Sequence, residues 1–402
     1  MQARRLREGR ALADRAHDMP LRARIAIFVF DLSATGVARN AFALAQALAA
    51  THDVELITCR SGVMHEPGIA VTTLGGAARI GPLALFRLGR QLRARVIETA
   101  PQIVISTGNR GHPLFLAALR GLTGLRRLYR FSNDIEHARG GRGKSIHTRV
   151  GDDVQMKALL GDADRIVLVS AHLLGDARLA KAHAAGQAVI IENGVDLDRI
   201  RARAASPCPH PFAAPGADPF VLAMGRLVPQ KNLETLIDAV AHANRVRPLN
   251  LILLGGGSDA ARAELITRAR ARGIEARVAL AGVTDNPFAW LVRAAVFALP
   301  SWWEGASNSL LEALACGTPV VASATAGNAA AVLGDDRGGE RYGLIADPGD
   351  AAAWSAALLH QTGPAKGRVL PGERAEAYRL DRTLAAWRTL VDAELVLNSR
   401  VR

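Results

Sequence analysis

The chain has 402 residues, 49% apolar and only 4% aromatic, so it can bury a sizeable core, argues against disorder, and at this length is expected to form two domains. Its formal charge of +13 is concentrated in residues 1–205, which hold 30 Lys/Arg against 18 Asp/Glu, while residues 206–402 hold 20 against 19. The widely separated Cys59, Cys208 and Cys316 fit neither a disulfide framework nor a close-spaced zinc site, and no window offers the roughly 18 apolar residues of a membrane span or the core of a signal peptide.

After a basic N-terminal tail, residues 1–23, the apolar run 25–30 (IAIFVF) reads as a strand, followed by a loop to Gly36 and a helical run from about Val37 to Ala50. Residues 54–58 and 102–106 read as further strands, with a helix opening at Pro113–Leu119, and 165–170 and 188–191 continue the series. Strands alternating with helices predict a parallel, doubly wound sheet whose ligands bind beyond the carboxyl ends of the strands. A proline-dense stretch, residues 203–219, reads as a linker. A second series then begins: strands at 220–224, 249–254, 278–280, 296–299 and 319–322, with helical runs at 233–246 and 258–272. The expected organisation is α/β throughout, with a first Rossmann-like domain at 24–205 and a second at 206–370. A C-terminal helix, 371–402, either packs back on the first domain or stays with the second.

Three loops carry candidate chemistry. In Gly225-Arg226-x4-Lys231-Asn232 a strand runs into a helix, and two cations beside a helix N-terminus make a seat for a diphosphate. A solvated basic turn looks the same in isolation. In the second loop, Glu304 is expected to end a strand and Glu312 to lie two turns up the next helix, so that both carboxylates face one cleft. Gly305, Ala306, Ser307 and Asn308 follow Glu304, the first three small enough to let backbone N–H groups approach a ligand. Two glutamates around a helix start are also an ordinary surface pattern. The third loop holds Gly36, which permits close phosphate approach but is equally a plain turn residue, and no dinucleotide glycine fingerprint accompanies it.

The order of the Gly36 loop, Glu192-Asn-Gly-Val-Asp196, Gly225-Arg226-x4-Lys231-Asn232, the run 251–257 (LILLGGG), Leu280-Ala-Gly-Val283, Glu304-x7-Glu312 with the following Cys-Gly-x-Pro-Val-Val321, and Tyr342-Gly-Leu resembles the family 4 retaining glycosyltransferases of the GT-B fold, across residues 24 to about 360. The resemblance implies two facing Rossmann-like domains with an interdomain cleft. It also implies that Arg226 and Lys231 bind the diphosphate of a nucleotide-sugar donor, Glu312 its ribose, Glu304 and the following amides the transferred sugar, and the stretch around Val283 the base. Retention of configuration without metal or cofactor follows from the same resemblance. Family members often place a sugar-facing histidine in the first domain, for which His112 is the candidate. They usually carry a glutamate shortly after the Pro-Val-Val-Ala segment, and residues 326–331 (AGNAAA) have none.

The expected function is transfer of a hexosyl or N-acetylhexosaminyl group from a nucleotide sugar to an acceptor hydroxyl. The basic first half favours an anionic partner. A helix carrying Arg87, Arg90, Arg93 and Arg95 among Leu85, Phe86, Leu88 and Leu92 suggests a cytoplasmic enzyme peripheral to the inner membrane face, acting on a lipid-linked or lipid-anchored glycan in cell-surface polysaccharide assembly. A soluble acceptor such as a sugar phosphate is the alternative. A nucleic-acid-binding protein lacks any motif in support, so no nucleic-acid partner is expected.

Overall fold

The computed structural model of the chain describes residues 22–33, 36–60, 68–75, 81–134, 146–334, 342–363, 371 and 373–400. Apart from its last two residues, the basic N-terminal tail lies outside this set. Two parallel sheets account for the strands. The first has seven, β1 (Arg24–Val29), β2 (Asp53–Thr58), β3 (Ala70–Thr73), β4 (Ile103–Thr107), β5 (Arg126–Phe131), β6 (Arg165–Leu168) and β7 (Ala188–Ile190), in the spatial order β3-β2-β1-β4-β5-β6-β7. The second comprises β8 (Phe220–Met224), β9 (Asn250–Leu254), β10 (Val278–Gly282), β11 (Val296–Leu299), β12 (Val320–Ser323) and β13 (Leu344–Ala346), ordered β10-β9-β8-β11-β12-β13. Two Rossmann-like α/β halves result, as expected, and the 205/206 boundary separates the two sheets in sequence. Grouped by proximity, the chain instead divides inside β5, one compact unit holding Met1–Leu128 with Arg388–Arg402 and the other Tyr129–Trp387.

The second sheet shows why an apolar strand run, rather than an alternating one, marks this architecture. Phe220, Leu222, Ile252, Leu254, Phe297 and Leu299 enter one buried cluster, whereas Val221, Ala223, Leu251, Leu253, Val296 and Ala298 enter another. Successive side chains point to opposite faces, and helices cover both, so all five residues of β9 and all four of β11 and β12 are buried.

Strand order reverses between β1 and β4 in the first sheet and between β8 and β11 in the second. At each reversal the two neighbours are paired in parallel, Val29 level with Thr107 and Phe297 level with Leu222. Their outgoing loops diverge to opposite faces and leave a crevice at the strand ends, which is where open α/β sheets hold ligands.

The C-terminal helix, Leu380–Arg400, makes its later contacts within the first unit. Arg388 Nε donates to Ala47 O at 3.1 Å, His52 Nε2 lies 3.4 Å from Asp392 Oδ1, and Arg126 pairs with the buried Glu394. Among the described residues no helix is long and apolar enough to cross a membrane.

Candidate functional site

Apart from Val283, which follows the edge strand β10, the predicted residues lie on the segments that follow the strands at the two reversal points. In the first sheet, Gly36 opens the helix Gly36–Ala49 after β1, and His112 opens the helix His112–Leu119 after β4. His112 is 1% exposed, and its Nδ1 is hydrogen-bonded to Ser106 Oγ at 2.8 Å, so the ring is fixed against the end of its own strand.

The second reversal point is more elaborate. β8 ends at Met224, and Gly225 adopts φ +145°, where an added Cβ would lie 2.9 Å from Lys231 Cε. The glycine therefore lets the lysine stem fold back across the loop. Lys231 closes a short 3-10 turn, and the next residue, Asn232, takes a left-handed conformation (φ 51°, ψ 40°) as N-cap of the helix Leu233–Ala243. That backbone is accessible to asparagine at modest cost, and here the side chain holds it in place. Asn232 Nδ2 donates to Pro300 O at 3.1 Å and Pro348 O at 2.7 Å, and its Oδ1 accepts from Thr235 Oγ1 at 2.7 Å.

The loop after β11 is laced to this one. Trp302 N donates to Gln230 O, and Gln230 Nε2 donates to Trp303 O, at 2.9 and 2.8 Å. The ion pair between Lys231 Nζ and Glu304 Oε1, 2.5 Å apart and largely buried, joins the two predicted residues, and Ser301 Oγ donates to the same oxygen at 2.8 Å. Lys231, expected beside Arg226 in a diphosphate seat, is held by Glu304 in this structure. Glu304 does not end a strand, because β11 stops at Leu299 when Pro300 interrupts the ladder. Arg226, by contrast, is exposed, and its side chain makes no hydrogen bond or ion pair to a described residue. A recess lined by Met224, Gly225, Arg226, Lys231, Pro300 and Ser301 opens at these strand ends.

Beyond Glu304, Ser307 caps the helix Asn308–Ala315, its Oγ accepting from Leu310 N at 3.4 Å. Glu312 is 7% exposed in the second turn of that helix, one turn nearer its start than expected, because the helix begins only at Asn308. Burial, and then the charge of Glu312, pushes the Cys316 thiol up to about 12, which keeps it protonated and inert. Val283 is 70% exposed after β10, and a Cβ added at Gly256 would lie 3.4 Å from its Cγ2. The alanine-rich segment that lacks the expected glutamate packs on the Glu304 loop, where an added Cβ at Gly327 would lie 2.7 Å from both Glu304 O and Gly305 O.

The sequence reading missed what holds this loop from behind. Within the same compact unit, Ser170 Oγ donates to Gly305 O at 2.8 Å, and Asn193 Nδ2 donates to Asn308 Oδ1 at 2.8 Å and to Ala306 O at 3.4 Å. A Cβ at Gly305 would come within 2.4 Å of Ser132 O and 2.6 Å of Asn133 Cα, so glycine is required for the close approach.

Two family models cover most of the sequence. Residues 34–199 match Glycosyltransferase Family 4, and residues 218–361 match Glycosyl transferases group 1, meeting across the proline-dense linker. The chain belongs to the family 4 glycosyltransferases of the GT-B fold. It is 33% identical over 158 residues to a 4-alpha-N-acetylgalactosaminyltransferase of Campylobacter jejuni named for a diphospho-undecaprenol substrate, a match covering 39% of this chain and 40% of that protein. It is 32% identical over 238 residues to D-inositol 3-phosphate glycosyltransferase 2 of Catenulispora acidiphila, covering 54% and 55%. The chain thus spans about half the length of these relatives. Among solved structures, HepE of Anabaena in complex with UDP-glucose has a TM-score of 0.75 at 17% identity, covering 92% of this chain and all of that one, a likeness of fold.

Proposed function

We propose that this protein is a retaining glycosyltransferase that moves a hexosyl or N-acetylhexosaminyl group from a nucleotide sugar to an acceptor hydroxyl. The observation that carries the reading is the buried Lys231–Glu304 pair beside the exposed Arg226 at the β8/β11 reversal. A diphosphate entering the recess would draw Lys231 and Arg226, and Glu304, released from the lysine, would accept hydrogen bonds from sugar hydroxyls. Glu312 is assigned to the ribose, the Val283 stretch to the base, and Gly305, Ala306, Ser307 and Asn308 to the transferred sugar. Gly36 is assigned to donor binding and His112 to the reacting sugar. On this reading the departing diphosphate is stabilised by fixed cations and helix N-termini, with no metal or cofactor, and itself takes the acceptor proton.

For the acceptor, the reading takes a lipid-linked glycan at an anionic membrane surface during cell-envelope polysaccharide assembly, with the enzyme peripheral to the cytoplasmic face. The helix Pro82–Thr99 supports it: Leu83, Phe86 and Ile97 are exposed, as are Arg87 and Arg90. The relative named for a diphospho-undecaprenol substrate is of the same kind. A soluble phosphorylated acceptor is the second reading, favoured by the relative named for D-inositol 3-phosphate.

The test is release of nucleoside diphosphate from UDP-, GDP- and ADP-sugars, with lipid-diphosphate glycan, inositol phosphate or no acceptor. Turnover with one donor that rises on adding the lipid acceptor supports the proposal, and retained anomeric configuration in the product supports the mechanism. No turnover with any donor would overturn it.

A further inference from the structure

Arg130 stands near the end of β5, in a run of otherwise apolar buried positions, and is itself 5% exposed. Its Nη2 donates to Asn193 Oδ1 at 2.5 Å, its Nη1 has no hydrogen-bond partner, and no carboxylate faces it among the described residues. Burial lowers its pKa to about 10, still leaving it a cation near neutrality. A buried guanidinium without a counter-charge is costly to the fold.

Its contacts lead to the Glu304 loop. Asn193 relays from Arg130 to Asn308 Oδ1 and Ala306 O, while the next residues along the chain, Ser132 and Asn133, lie against Gly305. A guanidinium can only donate, whereas a carboxamide can present either end. Arg130 therefore forces Asn193 to turn its oxygen back and its NH2 forward. Asn308 must then accept with its own oxygen, which leaves the Asn308 NH2 group for a ligand oxygen.

We propose that Arg130 is a positioning residue: through Asn193 it sets the polarity of a chain of amides so that Asn308 presents hydrogen-bond donors to the phosphate or sugar oxygens of a nucleotide-sugar donor. The inference rests on the glycosyl-transfer reading of this site. The buried cation also raises the positive potential behind the loop, in the sense that favours a departing diphosphate.

The test is Asn193→Asp, measured beside wild type, Lys231→Ala, Arg130→Lys and Arg130→Gln. An aspartate still accepts from Arg130, and it compensates the buried charge, but it cannot donate to Asn308. The expected result is an unchanged or raised melting temperature together with a roughly tenfold loss in kcat/KM and in affinity for the free nucleoside diphosphate. Arg130→Lys, donor-only and charged, should retain most activity, whereas Arg130→Gln, which can adopt either polarity, should lose it. If Asn193→Asp keeps wild-type kinetics, or loses stability in step with activity, or if Arg130→Lys is as impaired as Arg130→Gln, the proposal is overturned. Wild-type turnover impaired by Lys231→Ala but not by these variants would remove the positioning role and leave the function standing. Absence of wild-type turnover together with absence of nucleotide binding would remove both.

Discussion

Two carboxylates in the second half of the chain, Asp238 and Glu304, are held in clusters that are built differently. Asp238, on the helix that follows the Lys231 loop, accepts from Nε and Nη2 of both Arg268 and Arg272, four hydrogen bonds of 2.7–2.9 Å. Burial alone would raise its pKa, but the two guanidinium groups outweigh burial and hold the carboxyl below its ordinary value. Glu304 has one lysine and one serine on one oxygen, and both of these partners line the recess. The first cluster is saturated by planar forks and has no capacity left for a ligand. The second pairs point charges that can exchange partners. What separates the two is how completely their hydrogen-bonding groups are satisfied.

The contrast is tested most severely by Glu304→Gln. The amide keeps the shape and can still accept from Lys231 and Ser301, but the charge that faces the reacting sugar is gone. Turnover should fall on the order of 10²-fold. Affinity for the nucleoside diphosphate should hold or improve, because Lys231 no longer has a competing anion. Equal losses in both, read by steady-state kinetics and calorimetry, would place Glu304 in the framework with Asp238.

Lys231→Ala and Arg226→Ala should each weaken donor binding by roughly 1.5–3 kcal/mol, and they should part company in stability. Removing Lys231 leaves Glu304 without its cation, so the melting temperature should drop. Removing the exposed Arg226 should leave melting unchanged. If both melt like wild type and bind nucleotide normally, the recess is not the diphosphate seat.

These differences bear on what the sequence could reveal. Continuous apolar runs identified β1, β2, β4 and β6 to β12, because strands covered on both faces need no polar alternation. β3 and β13 escaped as edge strands of four and three residues. β5, with the sequence RRLYRF, escaped because its arginines suggest a surface, although Leu128 and Tyr129 are fully buried and Arg130 nearly so. An arginine inside an apolar strand with no acid at hand was the available signal. The loops bearing Arg226, Lys231 and Glu304 were legible from their position after strands and their small residues. The Lys231–Glu304 pair, spanning 73 positions, and the support from Ser170 and Asn193 depend on which strands become neighbours, which local sequence does not state.

Asp238→Asn is the control on the saturated cluster. It leaves two arginines facing a neutral amide and should cost roughly 1–2 kcal/mol of stability, with kcat and donor affinity unchanged. The sign with pH follows from the lowered carboxyl: its contribution is full above the ordinary aspartate pKa of about 4 and is lost as pH falls through the lower folded value. Wild type and variant should therefore differ in melting temperature near pH 7 and converge in acid. A gap that persists at low pH would mean that packing, not charge, holds this helix pair.

The arginines of the helix Pro82–Thr99 are a case where the same criterion of satisfaction revises an expectation. Four arginines suggested one cationic surface, yet Arg93 Nη1 donates to Ala118 O and Arg120 O at 3.0 and 2.8 Å, and Arg95 is paired with Glu55 and Glu98. Leu88 and Leu92 are likewise turned into the core. Arg93 and Arg95 are engaged within the fold, whereas Arg87 and Arg90 remain exposed with Leu83 and Phe86. Of the four arginines, Arg87 and Arg90 are the ones left to meet an anionic bilayer, at roughly 1 kcal/mol for each basic residue, so Arg87→Gln with Arg90→Gln should weaken binding to phosphatidylglycerol-containing vesicles about thirtyfold. Arg93→Gln should leave vesicle binding alone and lower the melting temperature instead, because it strips a cation from the carbonyl end of a neighbouring helix. Sedimentation in low and raised salt separates the cases: binding that ignores lipid charge, or that falls equally for all three substitutions, would leave the soluble acceptor as the better reading.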